Sequence, residues 1–282
     1  MNDHSFHRTF LEFGNYRYLK LAAVVAAGSL VAYWRDPSPL GPYGGTTVGL
    51  WLGCIGAALI LWLMWFGVRK RRYQSRMGTV QGWLSAHVYL GLALIVVATL
   101  HTGFQAGYNV HTLAYVLMMA VIASGAYGVH AYARFPTRLT EMMGDETLDS
   151  IFLKVPGLDQ EARRLAMRLP DDINRAVLEA AQNSRIGGGV IAQLRGVDPR
   201  CPTALAVSLV KTRGASLRRE DAEANRELYS VLVRKQRLLE RGRLAVMYKA
   251  RLNLWLYAHV PMAFALLMAL SAHILSVFFY VA

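Results

Sequence analysis

Charge is what this 282-residue chain lacks over long distances. No Asp, Glu, Lys or Arg occurs from 77 to 133, and none from 252 to 282. Acidic residues are scarce throughout, 18 against 31 lysines and arginines. A chain that is 54% hydrophobic and only 17% charged does not suit an ordinary soluble domain, and the segregation of its charge explains the balance. Crossing a bilayer as a helix takes about 20 apolar residues, and several uncharged runs are long enough. Cysteine is nearly absent too. Cys54 sits in an apolar run and Cys201 in a polar one. Two thiols so placed cannot hold an iron–sulfur cluster, which usually takes about four, nor a disulfide framework. Any iron–sulfur centre belongs to another chain. The N-terminus lacks the charged-then-apolar pattern and small-residue cleavage site of a signal peptide, so the first helix is expected to stay.

What is present reads as an all-α integral membrane bundle of five transmembrane helices. The spans run from Tyr16 to Trp34, Val48 to Val68, Val80 to Gly103, Val110 to Ala133 and Leu252 to Tyr280. Pro37, Pro39 and Pro42 punctuate the stretch between the first two. The organisation expected is an N-terminal membrane part over 1–133, a basic insertion over 134–250, and a final helix over 251–282.

Basic residues orient the spans. Arg8, Arg17 and Lys20 lie before or at the start of the first, and Arg69, Lys70, Arg71, Arg72 and Arg76 lie between the second and third. Segment 134–251 holds 22 basic against 15 acidic residues, a net +7. The opposite side has only Arg35, beside Asp36. This predicts a cytoplasmic N-terminus, a mostly helical cytoplasmic insertion, and third and fifth helices that run in parallel. Within the insertion, 158–169 and 171–183 suit helices flanking Pro170. The stretch 219–249 suits an amphipathic helix that continues into the fifth span.

Two pentapeptides nearly repeat. Trp83 to His87 reads WLSAH, and Trp255 to His259 reads WLYAH. Each is followed 14 residues later by another histidine, His101 and His273. At 100° per residue, 14 residues fall about 40° short of four turns, so each pair shares a helix face, about 21 Å apart along the axis. On parallel helices His87 can face His259 at an inner level, and His101 can face His273 at an outer one. One histidine in a membrane helix can simply bond a neighbouring helix. Ionisable groups at this depth are costly and point to function, and two matched pairs suit two stacked bis-histidine haems. Zinc or copper would draw its ligands together within a few ångströms. Gly91 and its counterpart Ala263 lie one turn beyond the inner histidines, where small side chains leave room for a macrocycle.

This pattern resembles the transmembrane domain of ferric reductases and NADPH oxidases, and also the cytochrome b of bc complexes. The likeness covers the chain from about Val48 onward and rests on the histidine spacing. It implies two haem b groups, with His87 and His259 as iron ligands of the inner one and His101 and His273 of the outer. The chain departs from the NADPH-using members, which carry a flavin and nucleotide domain after the last helix and no insertion of this size. A partner is therefore expected to supply electrons on the cytoplasmic side, a flavin or iron–sulfur protein, with a membrane quinone as the alternative.

Other residues have weaker assignments. Arg134 and Arg251 flank the inner level and are candidates for haem propionates; on the outer side Tyr108 and Asn109 are. His111 and His130 lie 19 residues apart, about 100° off a common face, so both cannot serve one haem stack. His4 and His7 belong to the tail. Pro261 removes a backbone bond and should kink the fifth helix. The basic insertion suits anionic lipid or docking of an acidic redox protein. Acidic residues dilute it too evenly for nucleic acid. Gly187-Gly188-Gly189 could open a phosphate-binding turn, but it follows no strand and lacks a P-loop lysine, so a hinge is favoured. Cys201, between Arg200 and Pro202, is a candidate low-pKa thiol.

The expected function is that of a dihaem cytochrome b subunit of a redox complex in a bacterial inner (plasma) membrane. It would carry electrons between a cytoplasmic-side and an outer-side partner, in contact with membrane lipids. The rivals are a quinol- or quinone-reactive cytochrome b, a histidine-relay transporter without haem, and a non-catalytic anchor for soluble subunits.

Overall fold

A computed structural model describes residues 10–38, 41–72, 78–144 and 147–280. His4, His7, Arg8 and Arg76 lie outside them. Every regular element among the described residues is helical. A 3-10 turn at Phe10–Glu12 precedes α1 (Phe13–Trp34), α2 (Thr47–Arg71), α3 (Val80–Thr102), α4 (Val110–Met143), α5 (Leu148–Ala166), α6 (Asp171–Asn183), α7 (Val190–Arg195), α8 (Pro202–Arg213) and α9 (Ala222–Tyr280). The chain forms two compact units, one of residues 1–130 with 255–282, the other of residues 131–254.

Among the described residues, four helices are long and apolar enough to cross a membrane: Thr47–Arg71, Val80–Thr102, Val110–Phe135 and the apolar part of Ala222–Phe279. The first apolar segment forms a helix but is not one of the four. Its chain is broken by left-handed backbone at Gly14, Asn15 and Tyr16. Arg17 and Lys20 then leave only the 14 uncharged residues Leu21 to Trp34, a rod of about 21 Å against a hydrocarbon core of about 30 Å.

Local chemistry sets the helix ends in the first unit. Thr46 Oγ1 accepts from Gly49 N at 3.0 Å and Thr79 Oγ1 from Gly82 N at 3.1 Å, each capping the helix that follows. Gly103 closes α3 in the left-handed conformation, φ 56°. α3 is the central rod, with α1 and α2 packed against it. Ala86, Leu90 and Ala93 meet Ala22 of α1, and Val97 and Leu100 meet Leu52 of α2. Further along, Leu94 shares a cluster with Ile60, Met118 of α4 and Leu266 of α9.

In the second unit, α5 begins with a capping box between Thr147 and Ser150. α5, α6, α8 and the first part of α9 enclose a core of Leu158, Ile173, Val177, Val210, Leu228 and Leu232. Lys235 is 1% exposed there, held by Asp159 Oδ1 at 2.6 Å and the Ala180 carbonyl at 2.7 Å. α9 runs unbroken from its amphipathic to its apolar part, through Pro261.

Candidate functional site

The two repeated stretches are offset by 172 positions, and α3 and α9 meet in that register. His101 and His273, which differ by 172, have ring centroids 5.9 Å apart at 86°. Leu94 and Leu266, also 172 apart, share the apolar cluster between the histidine levels. Two contacts in one register, with the residue numbers rising together, require parallel helices.

The four histidines share a further property. Each uses Nδ1 for a hydrogen bond, and no described hydrogen bond involves Nε2 of any of them. His87 Nδ1 lies 3.1 Å from the Leu63 carbonyl of α2, and His101 Nδ1 lies 2.8 Å from the Gly49 carbonyl of the same helix. A carbonyl only accepts, so both imidazoles carry their proton on Nδ1 and a lone pair on Nε2. His259 Nδ1 lies 2.7 Å from Ser124 Oγ of α4. The Ser124 hydroxyl already donates to the Val121 carbonyl at 2.7 Å, so Oγ accepts from His259, whose Nε2 also keeps its lone pair. His273 Nδ1 is hydrogen-bonded to His111 Nδ1. Bonding one ring nitrogen to fix the tautomer and free the other is how proteins prepare imidazole for a metal.

Small residues make these contacts possible. A side chain at Gly53 would place its Cβ 2.6 Å from His101 Cε1 and 2.9 Å from Nδ1. Gly49 and Gly53 thus form a GxxxG approach of α2 to the outer histidine. On α4 a Cβ at Gly125 would lie 3.6 Å from His259 Cε1, and Gly128 lies directly against the Trp255 indole. Trp255 Nε1 donates to the Ser124 carbonyl at 2.8 Å. The tryptophan that opens the second pentapeptide therefore steadies the serine that holds its histidine. The tryptophan of the first copy, Trp83, stacks on Trp62 of α2 at 4.9 Å. In both copies the tryptophan, one turn before the histidine, packs against the neighbouring helix.

The spacing of the outer pair is compatible with two imidazoles that share one metal. Two imidazole nitrogens about 2 Å from a shared metal put their ring centroids about 6 Å apart, and the outer pair stands at 5.9 Å. Gly91 is buried, yet a Cβ there would meet nothing within 4 Å, so a space adjoins α3 one turn past His87. No three His, Cys, Asp or Glu side chains among the described residues converge as a metal-ligand set.

The remaining candidates fall as follows. His111 sits at the start of α4 with its ring centroid 4.4 Å from that of His273, a neighbour of the outer pair. His130 is exposed, and no described contact joins it to the four. Arg134 and Arg251 belong to the second unit; Arg134 is exposed, and Arg251 Nε donates to the Leu194 carbonyl at 3.2 Å. Tyr108 and Asn109 are exposed, and Asn109 Oδ1 caps α4 by accepting from Thr112 N at 2.9 Å. Cys201 is buried and receives Arg243 Nη2 at 3.1 Å. Ser124, Gly49, Gly53 and the Leu63 carbonyl escape a search for titratable side chains. The small-xxx-small spacings Gly49/Gly53 and Ser124/Gly128 were the available signal.

Comparison with protein-family models, curated proteins and solved structures finds no match for this chain.

Proposed function

We propose that the chain is a dihaem cytochrome b subunit that carries electrons across a membrane. The carrying observation is the set of four Nδ1-anchored imidazoles in two pairs on α3 and α9, with no described hydrogen bond at Nε2. His87 and His259 would hold an inner haem, and His101 and His273 an outer one. When bound, each haem iron supplies one-electron chemistry. The protein's part is to aim the imidazoles, fix the tautomers of His87, His101 and His259, and surround them with apolar helix. Leu94, Met118 and Leu266 fill the space between the levels and keep water out of it.

The same reading makes α1 a fifth span, with Arg17 and Lys20 extending their charged ends to the inner boundary. It places the N-terminus and the basic polar unit in the cytoplasm, and the chain in a bacterial inner membrane. A flavin or iron–sulfur protein would dock on the cytoplasmic side, or a quinone would react there. A pyridine haemochrome assay on the purified chain tests the proposal: two haem b per polypeptide are expected, and fewer than one in protein made with ample haem would sink it.

One observation favours a second reading. His111 bonds His273 directly and is exposed, an arrangement suited to a histidine relay for protons. That reading requires a colourless protein.

A further inference from the structure

The second unit holds a pocket of about 550 Å³, within the range of small-molecule sites. The loop between α6 and α7 forms one wall, with α9 opposite. Arg185, Arg195 and Arg243 line it, opposed by the single carboxylate of Asp198. Arg243 is 7% exposed, and its guanidinium is positioned from three sides. Nε donates to the Arg185 carbonyl at 3.1 Å, and Nη2 reaches Asp198 Oδ2 at 3.3 Å and Cys201 Sγ at 3.1 Å. No described hydrogen bond uses Nη1. A buried cation held this rigidly on a pocket wall, with two exposed arginines beside it and one carboxylate to offset three charges, favours a multiply charged anion.

Gly187 and Gly189 of the triple glycine line the same wall. Gly187 and Gly188 have φ of 130° and 123°, backbone that other residues rarely adopt. A Cβ at Gly187 or Gly189 would meet nothing within 4 Å, so bare backbone faces open space and a ligand can approach closely. Gln193 Nε2 pins the loop by donating to the Gly188 carbonyl at 2.9 Å. The loop is thus a built wall. Ile191, Val197 and Val246 add an apolar surface, which suits a ligand with a flat, weakly polar part.

We propose that this pocket binds a nucleoside di- or triphosphate, with the phosphates held by Arg185, Arg195 and Arg243 and the base against Ile191, Val197 and Val246. All its lining residues belong to the second unit, and binding does not depend on haem.

The test is calorimetric titration of the full chain in detergent with ATP and with GTP. Inorganic phosphate and dihexanoyl-phosphatidylglycerol serve as separate arms. Arg195 is exposed and enters no described hydrogen bond, and the Arg243 contact uses only the backbone of Arg185, so Arg195→Ala and Arg185→Ala spare the fold. Saturable binding of at least one nucleotide is expected, weakened tenfold or more by each variant and unchanged by Arg218→Ala outside the pocket. Four results would overturn the proposal: no saturable nucleotide binding, equal loss in Arg218→Ala, phosphate binding as tightly as the nucleotides, or the lipid competing as well as they do.

Discussion

Replacing Gly53 by alanine inserts one methyl group where the outer site has no room. The new Cβ would stand 2.6 Å from His101 Cε1 and 2.9 Å from Nδ1, whereas ordinary contact begins at 3.4 Å. The imidazole is rigid and cannot fold out of the way, so it must retreat by about 0.8 Å (3.4 − 2.6) or α2 must withdraw from α3. Either movement strains the 2.8 Å bond from His101 Nδ1 to the Gly49 carbonyl. Overpacking of this kind costs about 1–3 kcal/mol, and disturbing the partner of a ligating histidine typically costs about 10- to 100-fold in metal affinity. Gly56, one turn further on, supplies the control. A Cβ there would meet Leu94 and Val97 at 3.8 Å, an ordinary packing distance. Redox titration of the visible spectrum would separate the two proposed haems by potential. Gly53→Ala should lose or shift one component and leave the other in place, while Gly56→Ala should match the parent protein. Two unchanged components in Gly53→Ala, or equal damage in Gly56→Ala, would refute the outer-site geometry.

Ser124→Ala removes the acceptor for His259 Nδ1 and should shift or weaken the inner component about 10-fold or more, with the outer one unchanged in the same titration. Ser124→Thr retains a hydroxyl and should recover much of the loss. His111→Ala deprives His273 of its partner and should alter the outer component alone, giving the opposite selectivity in low-temperature spectra. In the polar unit, Lys235→Met leaves the Asp159 carboxylate, which is 18% exposed, without its cation. Breaking such a pair costs about 3 kcal/mol, so thermal unfolding in detergent should move several degrees lower while the haem spectrum stays as it was.

The sequence carried the histidine register because it is written in side chains. Two copies of a five-residue phrase, each with a histidine 14 residues on, already placed four imidazoles at two levels, and α3 and α9 meet in that register. The anchors of those imidazoles were far less legible. Leu63 and Gly49 act through backbone carbonyls, and any residue would supply the same atom, so no residue type announces them. Gly53 and Ser124 did leave a trace, each four residues from a second small residue on an apolar helix, but that spacing serves helix packing in general. His111 was judged by its phase relative to His130 on its own helix. Its actual partner lies 162 positions away, beyond any periodicity. The first helix reads as a span from its apolar content, but Gly14 to Tyr16 depart from helical backbone and Arg17 and Lys20 shorten the uncharged run, so length and composition alone mark only the other four. The triple glycine lacked a strand and a lysine, and so resembled a hinge. Arg243, 54 positions beyond Gly189, completes the wall and could not be paired with it from spacing.

The most direct measurement is a reduced-minus-oxidised visible spectrum of the purified chain, with haem counted per polypeptide, in the parent protein and in His87→Ala and His273→Ala. A b-type spectrum with two haems is expected in the parent, and one lost from a different component in each variant. No haem absorbance from protein expressed with adequate haem, or two intact haems in both variants, would contradict the proposal.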